Sequence, residues 1–241
     1  MDNYLAFILL ALLSEVIGTI SGFGSSILFV PIASLFFDFK SVLGITAVFH
    51  VFSNLSKIYL FRQGIDKNVA VKLGIPAIVF VILGAWLTTY IPAKPLELLM
   101  SCALIGLSVY LLVNFNHSIR QSNSNLFSGG AASGFLAGIA GTGGAIRGIT
   151  LAAFHLPKMV FIATSALIDL GVDSSRAFIY IHNGYFSRKY IVLIPFLIVI
   201  SIVGSYLGKI ILRYTSEIVF RYLVLLVVMT VSIYQIFKLF R

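Results

Sequence analysis

The chain has 241 residues, of which 59% are hydrophobic and 10% are charged, with a formal net charge of +9. A soluble domain carries about 25% charged residues, so this composition excludes an ordinary soluble domain and indicates an all-α, polytopic membrane protein. We expect it in the cell membrane, in contact with lipid. The basic residues are scattered singly between apolar runs, which argues against a nucleic-acid partner and is typical of loops that flank membrane helices.

Few chemical motifs interrupt the apolar runs. Cys102 is the only cysteine, which excludes an intrachain disulfide and a Cys–His zinc site. No Ser-His-Asp order, metal-ligand cluster or nucleotide-binding loop stands out, so we expect no enzymatic activity, no metal and no cofactor. Glu15 interrupts the first apolar run, which argues against a cleaved signal peptide.

The apolar runs predict the segments of the fold in chain order. A helix needs about 20 residues to cross a bilayer, so the short runs at 26–37, 127–140 and 144–156 are predicted to be half-helices. The full set of runs lies near 4–20, 26–37, 43–61, 69–91, 96–113, 127–140, 144–156, 160–181, 190–212 and 217–237.

The second half of the chain repeats the pattern of the first. An offset of 119 residues aligns GFGS at 22–25 with GTGG at 141–144, and a later offset of 120 aligns GAWL at 84–87 with GSYL at 204–207. We therefore predict two tandem homologous repeats. Each would hold a Gly-broken pair of half-helices followed by three transmembrane helices. The predicted units are 1–115, a polar linker at 116–125, and 126–241.

Internal repeats with glycine-interrupted short segments at matching places are typical of secondary transporters whose site lies at the repeat interface. An anion channel is the main alternative, because it would use the same cations but would need a continuous pore. A membrane enzyme that acts on lipid would need a catalytic pair, and none stands out. A scaffold would not need buried arginine and lysine.

The two glycine-rich breaks are candidate parts of a substrate site. Lipid offers their backbone no hydrogen-bond partner, so each break must be buried in protein or line a wet cavity. The helix that starts after each break would present free amides and a positive dipole end to an anion. Alternatively, the glycines only allow close helix packing. The candidate residues are Gly22, Gly24, Gly141, Thr142, Gly143 and Gly144.

Three cations within the apolar regions are candidate anion ligands. Arg147 falls on the first turn of the half-helix after the second break, where an arginine is costly unless it faces a polar cavity. Snorkelling to the interface is the alternative. Lys57 and Arg176 occupy matching positions in the two halves, and Ser175 lies beside Arg176. Alternatively, Arg176 is neutralised by a structural ion pair and Lys57 reaches the headgroups.

Both halves also place titratable side chains on the face of the matched cation. Positions three and seven residues before each cation share its face on a helix, and they hold Asn54 and His50 in one half and Asp173 and Asp169 in the other. Because these groups can change protonation state, His50, Asp169 and Asp173 are candidate proton carriers. Alternatively, each of them only forms hydrogen bonds with its neighbours.

These candidates predict a single anion site surrounded by Arg147, Arg176 and Lys57 and capped by the two helix starts. Unpaired cations at this depth are costly, so the site needs negative partners. We expect Asp169 and Asp173 to be the only acidic residues nearby, and a substrate anion to supply the remaining negative charge.

The chain resembles the sulfite exporter TauE/SafE family over nearly its whole length. The resemblance is carried by GTISGFG at 18–24 followed by Pro31, by GFLAGIAGTGG at 134–144, and by the duplicated layout of segments. It implies export or uptake of a small sulfur-containing anion such as sulfite, thiosulfate or an organosulfonate. The family's usual GxGGG-like break is reduced here to GFGSS at 22–26, so backbone approach in the first half would differ.

The number of spans depends on how each Gly-broken pair is counted. If each pair is one broken span, each half has four spans, the repeats are parallel, and lysines and arginines gather on the side of the termini. The positive-inside tendency would then place both termini in the cytoplasm, and we prefer this count. If each pair is a re-entrant hairpin, each half has three spans, the repeats invert and the charge bias disappears. The sequence does not predict the oligomeric state.

Overall fold

A computed structural model describes residues 2–22, 24–62, 64–113, 120–212, 214, 226, 229–230, 233–234, 236–237 and 240. The regular structure of these residues is entirely helical, which confirms the all-α prediction. The helices are α1 (Asp2–Ser21), α2 (Ser26–Ala33), α3 (Phe39–Leu60), α4 (Lys67–Leu87), α5 (Ala93–Val113), α6 (Asn123–Ala140), α7 (Gly144–Ala152), α8 (Lys158–His182), a 3₁₀ helix (Arg188–Leu193) and α9 (Ile194–Ile211).

Within the described part of the chain, four helical stretches are long and apolar enough to cross a membrane by length and composition. They are α3, α4, Ala93–Tyr110 of α5, and Arg188–Ile211, in which the 3₁₀ helix continues into α9. Helix α8 has 25 residues, or about 37 Å, and therefore also has the length of a span, although its middle is polar.

Most helix boundaries fall within a few residues of the predicted segments, but α6 does not. The prediction of a half-helix at 127–140 is wrong, because α6 begins at Asn123 and has 18 residues. Its first turn lies inside the predicted linker, where the Ser122 hydroxyl accepts a hydrogen bond from the Asn125 amide at 3.1 Å. Residues 114–119 and most of the predicted segment at 217–237 lie outside the described residues.

The first short helix, α2, folds back along the helix before it. The ring of Phe7 on α1 contacts Phe29 and Phe37, with centroid distances of 5.8 and 5.0 Å, while Gly18 lies against Ser25. Low numbers on α1 thus meet high numbers beyond the break, so the two helices run antiparallel. Gly22, at φ +71°, begins the reversal in the left-handed region that favours glycine.

Helices α6 and α7 form a second hairpin of the same kind. Gly143 lies against Ser133, and Gly129 lies against Thr150. Gly141 caps the end of α6 at φ +77°, at the position that matches Gly22. The two hairpins contradict the preferred count of one broken span per pair. The prediction that both termini lie in the cytoplasm depended on that count, so it no longer has support.

Helices α3 and α8 cross in antiparallel directions at the centre of the molecule. The Asn54 amide donates to the Asp173 carboxylate at 2.7 Å in the middle of both helices. Towards one end Gly44 lies against the backbone of Tyr185, and near the other end Phe61 packs with Ile162. Polar side chains therefore meet at mid-helix, with apolar packing on either side.

Helix α4 packs parallel to α6 through a row of small residues. Gly130, Gly134 and Gly138 follow one another at four-residue spacing along one face of α6. A methyl group on any of them would fall on the carbonyl oxygen of a residue of α4, so the two backbones are in direct contact. This packing holds the second hairpin against the first half of the chain.

Candidate functional site

Two small cavities lie where α3 and α8 cross and where both glycine-rich breaks meet these helices. They adjoin each other, because Gly24, Asn54, Lys57 and Asp169 line both. Their volumes of 10 and 20 Å³ leave room for about one water molecule each. The first cavity is also lined by His50, Gly143, Gly144, Arg147, Asp173 and Arg176, so the crossing collects most of the predicted site residues.

Three buried ion pairs surround these cavities. Lys57 Nζ lies 2.8 Å from a carboxylate oxygen of Glu15, and Arg176 Nη2 lies 2.6 Å from Asp173. The third pair joins Arg147 to Asp169. Burying charges of one sign alone would cost several kcal/mol each, so the pairing explains how three cations are held inside the molecule.

Arg147 faces both breaks. It is 2% exposed, which contradicts snorkelling to an interface. Its Nε donates to the Ser165 hydroxyl at 3.1 Å, and its Nη1 pairs with Asp169. Its Nη2 lies beside Gly24, 3.6 Å from the position that a Cβ atom there would take. Arg147 therefore places a charged donor group next to the first break.

Arg176 is fully engaged within the protein. Its Nε and Nη2 groups both contact Asp173, which bears out the predicted alternative of a structural ion pair. Its Nη1 donates to the carbonyl oxygens of Gly141 at 2.7 Å and Ala137 at 3.1 Å. Carbonyls at the end of a helix lack intrahelical partners, so Arg176 completes the C-terminal end of α6.

Lys57 contacts a carboxylate that was not among the predicted site residues. It is 5% exposed and donates to the Ser53 hydroxyl at 2.8 Å, which contradicts the alternative that it reaches the headgroups. Its partner Glu15 also accepts from Ser53 at 2.7 Å and from Ser205 at 2.8 Å. The expectation that Asp169 and Asp173 would be the only acidic residues nearby is therefore wrong.

His50 bonds to α3 and to the first break. Its Nδ1 lies 2.8 Å from the Thr46 carbonyl oxygen, and its Nε2 lies 2.9 Å from the Ser25 hydroxyl. Since a carbonyl can only accept, Nδ1 carries a hydrogen. Asp169, at the matching position of α8, pairs instead with Arg147. The two matched titratable groups thus have different partners.

The other predicted residues lie at different distances from the crossing. Gly22 lines the second cavity, and the hydroxyl of Thr142 lies 3.4 Å from that of Ser26, where it links the two breaks. The Gly141 carbonyl is held by Arg176. Ser175 lines neither cavity. Its hydroxyl donates to the Gly171 carbonyl of its own helix at 2.8 Å.

Among the described residues, no group of three His, Cys, Asp or Glu side chains is arranged to hold a metal ion.

The model of one protein family, described as Sulfite exporter TauE/SafE, matches residues 7–235. The match includes both hairpins and every residue of the three ion pairs. No curated protein and no solved structure matches the chain.

Proposed function

The chain belongs to the sulfite exporter TauE/SafE family, a family of membrane transporters for sulfur-containing anions, and from this premise we propose that it is a secondary transporter. Its proposed substrate is sulfite, thiosulfate or an organosulfonate, carried across the cell membrane. The observation that carries the proposal is the convergence of Lys57, Arg147 and Arg176 on one cavity that both breaks also line.

The proposed anion site lies between Arg147 and the starts of α2 and α7. Ser25 and Ser26 at one helix start and Gly143 and Gly144 at the other line the cavity that Arg147 faces. Free amides at a helix start and a guanidinium group are strong donors to a sulfite or sulfonate oxygen. Arg176 contributes positive charge, while its own donors stay with the protein.

The charge count supports coupling to protons. With Glu15, Asp169 and Asp173 ionised and His50 uncharged, the cluster of three ion pairs is neutral. A bound anion would leave this buried cluster with an uncompensated negative charge unless one carboxylate takes up a proton. Asp169 is the proposed acceptor, because its protonation would release the Nη1 group of Arg147 to bind the anion.

We extend the proposal to the duplication, with the two repeats inverted rather than parallel. Asn54 and Asp173, which bond each other where α3 crosses α8, are 119 positions apart and so match in the alignment of the halves. Helix α1 of the first half packs parallel to α9 of the second half. In the same way, α6 of the second half packs parallel to α4 of the first half. Such symmetry suits alternating access, in which one repeat moves against the other around a central site.

The anion channel remains the alternative. A channel needs a continuous water-filled path, whereas the two cavities at the crossing have room for about one water molecule each and are bordered by closed ion pairs. This geometry favours a transporter that binds its substrate only after the surrounding helices move.

The test is uptake by proteoliposomes that contain the purified protein. We expect saturable uptake of at least one of sulfite, thiosulfate and methanesulfonate, in preference to acetate, stimulated by an inwardly directed proton gradient. Planar-bilayer recording of the same preparation separates the two candidate functions, since unitary anion currents would establish the channel. Absence of uptake of all three sulfur anions would reject the proposed substrate class.

A further inference from the structure

Glu15, Ser25 and His50 form a continuous buried chain of hydrogen bonds. The Ser25 hydroxyl lies 2.6 Å from Glu15 Oε2 and 2.9 Å from His50 Nε2, and His50 Nδ1 lies 2.8 Å from the Thr46 carbonyl oxygen. None of the three side chains is more than 4% exposed. All three side chains are therefore buried in the protein.

Counting hydrogens along this chain shows that one is missing from the usual protonation states. Each of the three contacts needs one hydrogen between its two heavy atoms. Ser25 supplies one hydroxyl hydrogen, and a neutral His50 supplies one ring hydrogen, which the Thr46 carbonyl claims because it can only accept. With an ionised Glu15, two hydrogens would have to serve three contacts.

We propose that Glu15, Ser25 and His50 are a proton relay that holds one proton more than an ionised glutamate and a neutral histidine. The proton resides on Glu15 Oε2 or on His50 Nε2. It moves when Glu15 donates its proton to the Ser25 oxygen as the Ser25 hydroxyl hydrogen passes to Nε2. The product is a carboxylate and an imidazolium, so the net charge of the chain is unchanged.

The surroundings place the two ends of the relay in different environments. Glu15 lies among α1, α3 and α9, where Lys57, Ser53, Ser205 and Thr19 direct donors at its other oxygen, and it lines neither of the two cavities. His50 lines the first cavity. The charged groups that share that cavity with it are Lys57 of α3, Arg147 of α7, and Asp169, Asp173 and Arg176 of α8.

Aromatic packing keeps the histidine end of the relay from exchanging freely with water. The rings of Phe29 and Phe49 lie against His50, at centroid distances of 5.8 and 5.1 Å. His50 therefore lies between Ser25, to which its Nε2 is bonded, and the cavity that it lines. The relay thus joins Glu15, beside Lys57, to the lining of the proposed anion site, and its role in coupling rests on the proposed function.

The stored proton can be tested without any transport measurement. The full-length wild-type protein, labelled with ¹⁵N-histidine or with ¹³C-glutamate, is studied near neutral pH by NMR and by infrared spectroscopy. We expect either an imidazolium signal that is lost in His50→Gln or a carboxylic-acid band that shifts with the glutamate label. The chain has only three glutamates, so the label narrows the assignment even if Glu15→Gln does not fold. A neutral His50 together with fully ionised glutamates would overturn the proposal.

The coupling role is tested with Ser25→Ala in proteoliposomes that contain a pH-sensitive dye and receive a sulfite gradient. Breaking the relay should slow the coupled proton transfer about 100-fold or more, as the loss of a positioned proton-transfer group does, so the number of protons moved per sulfite should fall close to zero. Protons and sulfite are measured in the same vesicles, so their ratio does not depend on how fast the variant exchanges sulfite.

The matched control is Ser34→Ala, which removes a buried hydroxyl at the other end of α2, where it donates to the Val30 carbonyl at 2.9 Å. It should keep the wild-type ratio of protons to sulfite. A wild-type ratio in Ser25→Ala would also overturn the relay as the coupling path. If the wild-type protein moves no sulfur anion, the proposed function fails, while the spectroscopic result still decides whether the stored proton exists.

Discussion

Arg147 and Arg176 line the same cavity and carry the same charge, but their hydrogen bonds give them different roles. Arg176 donates its hydrogen bonds to Asp173 and to the carbonyls at the end of α6, whereas Arg147 places a guanidinium nitrogen beside Gly24. The sequence could identify both as buried cations, because arginines inside apolar segments are rare and need partners. It could not tell the structural arginine from the proposed ligand, since that difference depends on contacts 35 and 39 residues away along the chain.

Replacing Arg176 with lysine tests the structural role. Lysine keeps the charge but cannot reach Asp173 and the Gly141 carbonyl together, because it lacks the planar fork of the guanidinium. We expect a loss of roughly 1–3 kcal/mol of stability, the cost of leaving buried acceptors unsatisfied. Thermal unfolding in detergent measures it. An Arg176→Lys protein as stable as Arg62→Lys, a change at an exposed arginine, would show that the contacts to α6 contribute little.

Asp169 is the residue at which the proposed coupling to protons is most easily removed. In the wild-type protein, protonation of this carboxyl should release Arg147, so anion affinity should rise as pH falls. Asp169→Asn imitates the protonated form at every pH. It should bind sulfite with an affinity that is nearly independent of pH, as measured by titration calorimetry at several pH values. A pH dependence equal to that of the wild type would assign the coupling proton to another group.

Glu15 is a site residue that the sequence did not identify. Its place inside an apolar run was visible, and an intramembrane carboxylate is a candidate functional residue by default. Its pairing with Lys57 was not, because the two lie on different helices and meet only when α1 packs against α3 and α9. The helical spacing that grouped His50 with Asn54 and Lys57 relates residues of one helix and says nothing about the helix opposite.

Each hairpin turns at one of the two glycine-rich breaks that the sequence pattern predicted. The pattern predicted where α1 and α6 end, because glycine at a C-terminal cap is a local signal. It favoured a following helix that continues across the membrane, whereas the chain turns back at both breaks. That choice depends on packing between helices, such as the contact of Phe7 with Phe37. The early start of α6 was missed because polar residues that cap a helix resemble a linker.

The contact between α4 and α6 gives a direct test of backbone packing. A methyl group at Gly134 would fall on the Ala77 backbone, so Gly134→Ala should destabilise the protein by about 1–3 kcal/mol, as overpacking does. The matched control is Gly106→Ala in α5, where no atom lies within 4 Å of the added carbon. That change should be neutral or slightly stabilising, since alanine is the better helix former. Equal melting temperatures for both variants would show that α4 and α6 are less closely packed.

At the scale of the whole molecule, the antiparallel crossing of α3 and α8 brings the two halves to one polar centre. Each half supplies a hairpin and a long helix with a buried cation. Each of the three ion pairs forms within one half, and two of them join different helices. The sequence predicted one site for Lys57, Arg147 and Arg176, because buried cations need a negative partner and repeat transporters bind at the repeat interface. It favoured parallel repeats, whereas we propose inverted ones, since the charge bias of the loops changes with the number of spans.

The proposed function requires an anion site at this centre, and binding of sulfite to the purified protein tests that site most directly. Titration calorimetry on the wild type, Arg147→Gln and the control Arg62→Gln, all monodisperse in detergent, measures the affinities at one pH. Removing a charged hydrogen-bond donor should weaken binding by roughly 1.5–3 kcal/mol, or about tenfold to a hundredfold. We predict that loss for Arg147→Gln and wild-type affinity for Arg62→Gln. Sulfite binding by Arg147→Gln as tight as that of the wild type would contradict the site.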